Sequence, residues 1–124
     1  MGFSGDCMSY DIMFGVKVAG TEDVFAKIGE PEYSSPTYNV GIMFRKCMDW
    51  DFEQGEWYNM KEVLPKIEHG LHEIRFNSGI YIQYEPENGW GNTETVLHCL
   101  QSIIDWFHYD WDEDIPLECI YMRW

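Results

Sequence analysis

Histidine and cysteine are the side chains from which a metal centre or an activated nucleophile would be built, and in this chain they are few and dispersed. His69 and His72 stand at i, i+3, a spacing that puts two imidazoles on one helical face, while His98, Cys99 and His108 fall on another helical segment. Zinc takes ligands at such spacings. No H-E-x-x-H motif is formed, however, and nothing in the pattern makes the two helices converge, so these residues read as solvated or capping histidines and no metal or cofactor is assigned. Two acid-rich stretches invite a calcium reading. Asp49-x-Asp51-x-Glu53 is followed by Gln54 where an EF-hand loop needs glycine, and its twelfth position is Met60; Asp110-x-Asp112-x-Asp114 runs into Ile115 and Pro116. Both fail the motif. The chain has no G-x-S-x-G elbow, no P-loop and no dinucleotide fingerprint. It therefore reads as a binding protein and not an enzyme, with a paired-carboxylate hydrolase as the enzymatic alternative, because acids that meet in space need not be neighbours in sequence.

The same acid-rich stretches carry a different signal. Residues 49–58 (DWDFEQGEWY) and 105–114 (DWFHYDWDED) interleave carboxylates with Trp, Tyr and Phe. Aromatic rings supply anchors for a partner's pockets, and carboxylates supply pairs for its Arg and Lys. Asp49, Trp50, Asp51, Glu53, Glu56, Trp57, Asp110, Trp111, Asp112, Glu113 and Asp114 are the candidate partner-binding residues. The competing reading makes Phe52, Trp57, Trp106 and Phe107 core and the acids a solvated rim.

Charge narrows the partner. With 22 acidic and 8 basic side chains the net charge is −14, and no Lys or Arg occurs between Arg75 and Arg123. Such a field repels nucleic-acid phosphates and anionic membranes, and either attracts a basic protein surface or simply keeps an aromatic-rich protein in solution. Asn88-Gly89-Trp90-Gly91-Asn92 is a second distinctive segment. Its glycines permit positive φ around an indole just before a helix start. One reading pins Trp90 into the core; the other makes Trp90, Gly91 and Asn92 a ligand site in which the exposed helix amides hold an anion or a nucleotide phosphate.

Hydrophobic periodicity supplies the elements that position these segments. Residues 1–8 lack a period and read as a flexible leader, and 9–124 as a single domain. Tyr10, Ile12, Phe14, Val16 and Val18 alternate as one face of a strand; a turn at residues 19–23 and a second strand, Val24 to Ile28, complete a hairpin. Ser35-Pro36 suits a helix start, with Val40, Met43, Phe44, Cys47 and Met48 as its buried face. Asn59 to Glu62 matches a capping box, opening a helix that turns Val63, Leu64, Ile67, Leu71 and Ile74 inward and bends or starts late at Pro65. Asn92 or Thr93 caps a third helix with Val96, Leu97, Leu100, Ile103, Ile104 and Phe107 inward. Leu117 to Trp124 closes the chain as a strand beside the first. The fold class is α+β: a small antiparallel sheet of the N-terminal hairpin and the C-terminal strand, packed on one face by three helices. Cys7, Cys47, Cys99 and Cys119 form no C-x-x-C pair and read as small apolar residues. No signal peptide or membrane span is visible, so a cytoplasmic location is expected. The closing strand at a sheet edge and the spare aromatics leave a homodimer open.

Tyr10-Asp11-Ile12, Ser35 to Val40 with Met43 to Lys46, Tyr84 with Asn88 to Asn92, and Asp114 to Met122 resemble a family of small uncharacterised phage and prophage proteins, especially of Gram-positive hosts. The likeness covers nearly the whole chain, and the N-G-W-G element is its most specific part. The family brings no assigned catalytic or ligand residues. What the resemblance implies is a phage accessory protein acting in the host cytoplasm, of the class that inhibits host defence as anti-CRISPR proteins do, by occupying the nucleic-acid site of a Cas nuclease. The alternatives are a protein that sequesters a nucleotide signal, and a virion assembly protein.

Overall fold

The expected hairpin forms from β1 (Met13–Lys17) and β2 (Phe25–Gly29), paired antiparallel with Lys17 opposite Phe25. This computed structural model describes residues 9–21 and 24–124, so the leader 1–8 and Glu22 and Asp23 of the hairpin turn lie outside the described residues. The strand expected from Ser9 to Val18 begins only at Met13: Tyr10 and Ile12 are buried with Phe14, but they precede β1 and donate their N–H groups to the Pro36 and Ser34 carbonyls at 2.9 and 2.8 Å. Val16 is only half-buried and Val18 is exposed. The alternation fades because the pairing of β1 with the C-terminal strand stops at Val16, opposite Ile120.

That C-terminal strand, β4 (Ile120–Arg123), lies beside β1 with Phe14 opposite Met122. Its other side is covered by β3 (Trp57–Asn59), which sets Tyr58 opposite Met122. The sheet order is β2-β1-β4-β3, antiparallel throughout. The expectation of an edge position for the closing strand is thus corrected: β4 is internal, and β2 and β3 form the edges. Three residues are too few to display alternation, which is why β3 is invisible to a periodicity reading. Leu117–Cys119 form a 3₁₀ turn and not the start of the strand, with the Cys119 N–H donating to the Pro116 carbonyl at 2.9 Å.

The helices cover one face of this sheet. The first starts later than Pro36 suggests. Thr37 accepts from the Asn39 N–H at 3.2 Å and opens a 3₁₀ turn, Tyr38–Val40, before α1 (Gly41–Met48). Val40, Met43, Phe44, Cys47 and Met48 are all buried. Helix α2 (Met60–Phe76) is capped by the Asn59 side chain, which accepts from the Lys61 N–H at 3.0 Å. It starts at Met60 and runs through Pro65, so the late start is not taken. Val63, Ile67, Leu71 and Ile74 face the core. At Gly70 three helices meet: a Cβ there would lie 2.5 Å from Met48 Cγ and 3.1 Å from Leu100 Cδ1, so only glycine permits this approach. A short fourth helical segment, α3 (Ser78–Tyr81), follows α2. The Tyr81 hydroxyl and the Asn77 amide donate to the two Glu73 oxygens at 2.7 and 2.8 Å and hold that carboxyl below its ordinary range. Helix α4 (Thr93–Asp105) is capped by Asn92, whose side chain and backbone exchange hydrogen bonds with Thr95. Val96, Leu100 and Ile103 are buried along it, with Cys99 between them. Among the described residues no helix is long and apolar enough to cross a membrane.

The core closes on an aromatic cluster. Trp124, 1% exposed, stacks on Phe52 with centroids 4.1 Å apart and planes at 12°, and Tyr10, Phe44 and Trp50 stand around the pair. The Arg45 guanidinium lies 4.1 Å above Phe52 and donates to the Phe52 carbonyl, the Tyr10 hydroxyl and the Gly41 carbonyl. Among the described residues the buried Trp124 Nε1 has no hydrogen-bond partner, an omission costing about 1–3 kcal/mol. Trp124→Ala is expected to lose about 3–5 kcal/mol in urea melts. Trp124→Phe, which removes the orphan donor and keeps a ring, is expected to lose clearly less; equal losses would contradict the stacking account.

Candidate functional site

The two acid-aromatic segments divide their residues between core and solvent. In 49–58, Phe52 is core, and Trp50 is half-buried against Phe52, Tyr58 and Trp124 at 5.3, 4.9 and 6.1 Å. Trp57 lies on the sheet face away from the helices, stacked on Phe25 at 4.6 Å with planes 15° apart. Gly55 N–H donates to the Trp124 carbonyl and Glu53 N–H to the Tyr58 hydroxyl, fixing the loop from within. Trp50 and Trp57 are therefore occupied by intramolecular ring contacts, whereas Asp49, Asp51, Glu53 and Glu56 are exposed.

The second segment is built on a widened turn. Beyond Asp105, residues Trp106–Asp110 continue α4 as a π-helical turn, closed by the Trp111 N–H donating to the Trp106 carbonyl at 2.9 Å. Such wide turns re-aim side chains and recur at functional sites. Trp106 packs inward on Phe14 at 4.4 Å, and Phe107 bridges Phe14 and Trp111 at 5.3 and 5.7 Å. Trp111 is half-buried, its Nε1 donating to the Ile115 carbonyl at 3.1 Å. Asp110, Asp112, Glu113 and Asp114 are exposed.

Between this turn and α2 runs a groove of about 640 Å³, with Leu64, Leu71, Phe76, Ile104, Phe107 and Trp111 as its apolar lining. Glu68, His72, Arg75, His108 and Glu113 complete the lining, and the Arg75 guanidinium is tied to the Gln101 amide oxygen. Phe76 is 72% exposed. Sequence reasoning found Trp111 and Glu113 but not Leu64, Leu71, Phe76 and Ile104 as parts of one surface. The available signal is an apolar stripe on each helix wider than the buried core uses. The two segments enter the sheet at opposite ends of one ladder: 49–56 enters β3 at Trp57, opposite Arg123, whereas 110–119 enters β4 at Ile120.

The glycine-flanked tryptophan corrects the core reading, for Trp90 is 69% exposed. Gly89 and Gly91 have φ of 76° and 100°, and a Cβ on Gly91 would lie 2.6 Å from Val40 Cγ1 and 2.9 Å from Thr37 Cγ2. The loop is thus seated tightly while its indole is held outward, forgoing on the order of 2 kcal/mol of burial. Trp90 faces a cleft of about 620 Å³ between residues 33–39 and the start of α4.

Among the described residues no group of three His, Cys, Asp or Glu could hold a metal ion. His69 and His72 are exposed on α2, His72 against Phe76 at 4.8 Å, and His98 is exposed on α4. The single ion pair among the described residues joins Lys27 and Glu30 at 3.4 Å, outside both acid-aromatic segments. Burial pushes the Cys47 thiol up to about 12 and raises that of Cys99 further, whereas Cys119 is exposed. Comparison with protein families, with curated proteins and with solved structures returned no match.

Two outcomes follow from this geometry. Of Cys47, Cys99 and Cys119, only Cys119 is expected to react with a disulfide reagent in the native protein at pH 8, the other two appearing on denaturation; native labelling of Cys47 would contradict the burial. Gly91→Ala is expected to destabilise by about 1–3 kcal/mol in thermal melts, from backbone strain plus steric contact.

Proposed function

We propose that this chain is a phage-encoded acidic protein that inhibits a host defence protein by binding a basic, nucleic-acid-binding surface, as anti-CRISPR proteins occupy a Cas nuclease. The observation that carries the reading is the α2–α4 groove. It sets half-exposed Phe107 and Trp111 beside the Glu113 and Glu68 carboxylates, with Arg75 also in the lining, and Trp111 leads directly into exposed Asp112 and Asp114; none of these acids is used in an ion pair among the described residues. An aromatic anchor in a groove with a charged rim is the arrangement that concentrates binding energy and steers an oppositely charged partner. Carboxylates without an ion pair among the described residues are available to Arg and Lys of a channel that otherwise holds phosphates, Asp112 keeping its bond from the Asp114 N–H. Asp49, Asp51, Glu53 and Glu56 extend the negative surface, with half-exposed Trp50 and Trp57 between them as further contacts.

The test is affinity capture with the whole chain as bait in lysate of a Gram-positive host carrying defence systems, followed by binding measurements on the nuclease recovered. The expected result is capture that falls steeply with salt and is competed by the nuclease's own nucleic acid. Replacing Asp110, Asp112, Glu113 and Asp114 together by Asn or Gln is expected to weaken binding about tenfold or more with the fold intact. Trp50→Ala is expected to lower stability. Capture that ignores salt, competitor and the charge variant alike would overturn the reading.

A further inference from the structure

The cleft at the N-terminal end of α4 differs in chemistry from the rest of the surface. Among the described residues no Asp, Glu, Lys or Arg lines it, although the chain carries 22 acidic and 8 basic side chains. One wall comes from the segment that includes Tyr33, Ser35 and Asn39, with Ser9 drawn in by an antiparallel bridge to Thr37. The other comes from the glycine-flanked loop and presents Asn88 and Trp90. The Trp90 indole engages in no ring contact or hydrogen bond with the described residues, and its backbone is pinned, the Trp90 N–H donating to Asn88 Oδ1 at 2.9 Å. A rigid loop thus presents an aromatic face over a pocket of hydroxyls and amides.

We propose that this cleft binds a neutral saccharide, with Trp90 as the stacking platform and Asn39, Asn88 and the serine hydroxyls as polar partners. The π-face of an indole is electron-rich, and a pyranose presents to it a face of C–H bonds carrying partial positive charge. Sugar hydroxyls both donate and accept, and serine hydroxyls and asparagine amides are the side chains that do the same without charge. The cleft, at about 620 Å³, has room for one or two sugar rings. A nucleotide phosphate is disfavoured because no cation among the described residues lines the cleft and the net charge is −14. A nucleobase stacks on an indole as well, so adenosine enters the test as the competing ligand. The site is independent of the α2–α4 groove, which lies towards the other end of α4.

The test is a titration of the ¹⁵N-labelled whole chain, followed at the Trp90 indole N–H and the Asn39 and Asn88 side-chain amides. The probes are N,N′-diacetylchitobiose, maltose, cellobiose and N-acetylgalactosamine, with adenosine and ATP in parallel. At least one of the four sugars is expected to shift these resonances saturably in the millimolar range or below. Trp90→Ala and Asn39→Ala are each expected to weaken that binding about tenfold or more, Trp90→Tyr to retain most of it, and the four-acid variant at residues 110–114 to leave it unchanged. Trp90 is exposed enough for its variants to fold. The proposal is overturned if none of the sugars moves the Trp90 resonance, if adenosine or ATP alone does so, or if Trp90→Ala binds as the parent does.

Discussion

Trp124 lying flat on Phe52 is the contact on which the rest of the molecule depends. One ring comes from the end of the C-terminal strand and the other from the loop between α1 and β3, so their stacking joins parts of the chain far apart in sequence. Once it forms, the Gly55 N–H reaches the Trp124 carbonyl, β3 is laid along β4, and β4 is held between β3 and β1. Arg45 secures the pair from above by donating to Phe52, Tyr10 and Gly41. Large aromatic contacts of this kind combine area burial with a preferred geometry, so they set register as well as stability.

The high aromatic content and the high negative charge divide their work. The rings of both acid-aromatic segments turn mainly towards the protein, and the carboxylates between them turn to water. Burying the carboxylates would require partners the chain lacks, since a buried unpaired charge is costly. Exposed and largely unpaired, they repel one another, a burden the folded state carries and that an oppositely charged partner would relieve. The groove beside Trp111 is where an apolar surface adjoins one of these carboxylates, Glu113.

Helix α4 organises both candidate surfaces. At its start the Asn92 cap and the tightly seated Gly91 set Trp90 over a neutral polar cleft. At its end the wide turn rotates Phe107 and Trp111 onto the groove against α2. The two ends differ in charge, one lined among the described residues by uncharged side chains and the other by Glu68, Arg75 and Glu113, and so they suit ligands of different chemistry.

Much of the fold was legible in the residues alone. Alternation from Tyr10 to Val18, the stripe of Val40, Met43, Phe44, Cys47 and Met48, and the Asn59 and Asn92 caps are local signals, and each element they announce is present, the first strand shortened to Met13–Lys17. The α+β class and the pairing of the C-terminal strand with β1 follow from those elements. The three-residue β3, the passage of α2 through Pro65, the outward Trp90 and the grouping of Leu64, Phe76, Ile104 and Trp111 on one groove were decided by the tertiary structure. Periodicity and capping report on neighbours within a few residues, whereas strand order, the facing of an isolated aromatic and the meeting of two helices depend on contacts between residues remote in the chain.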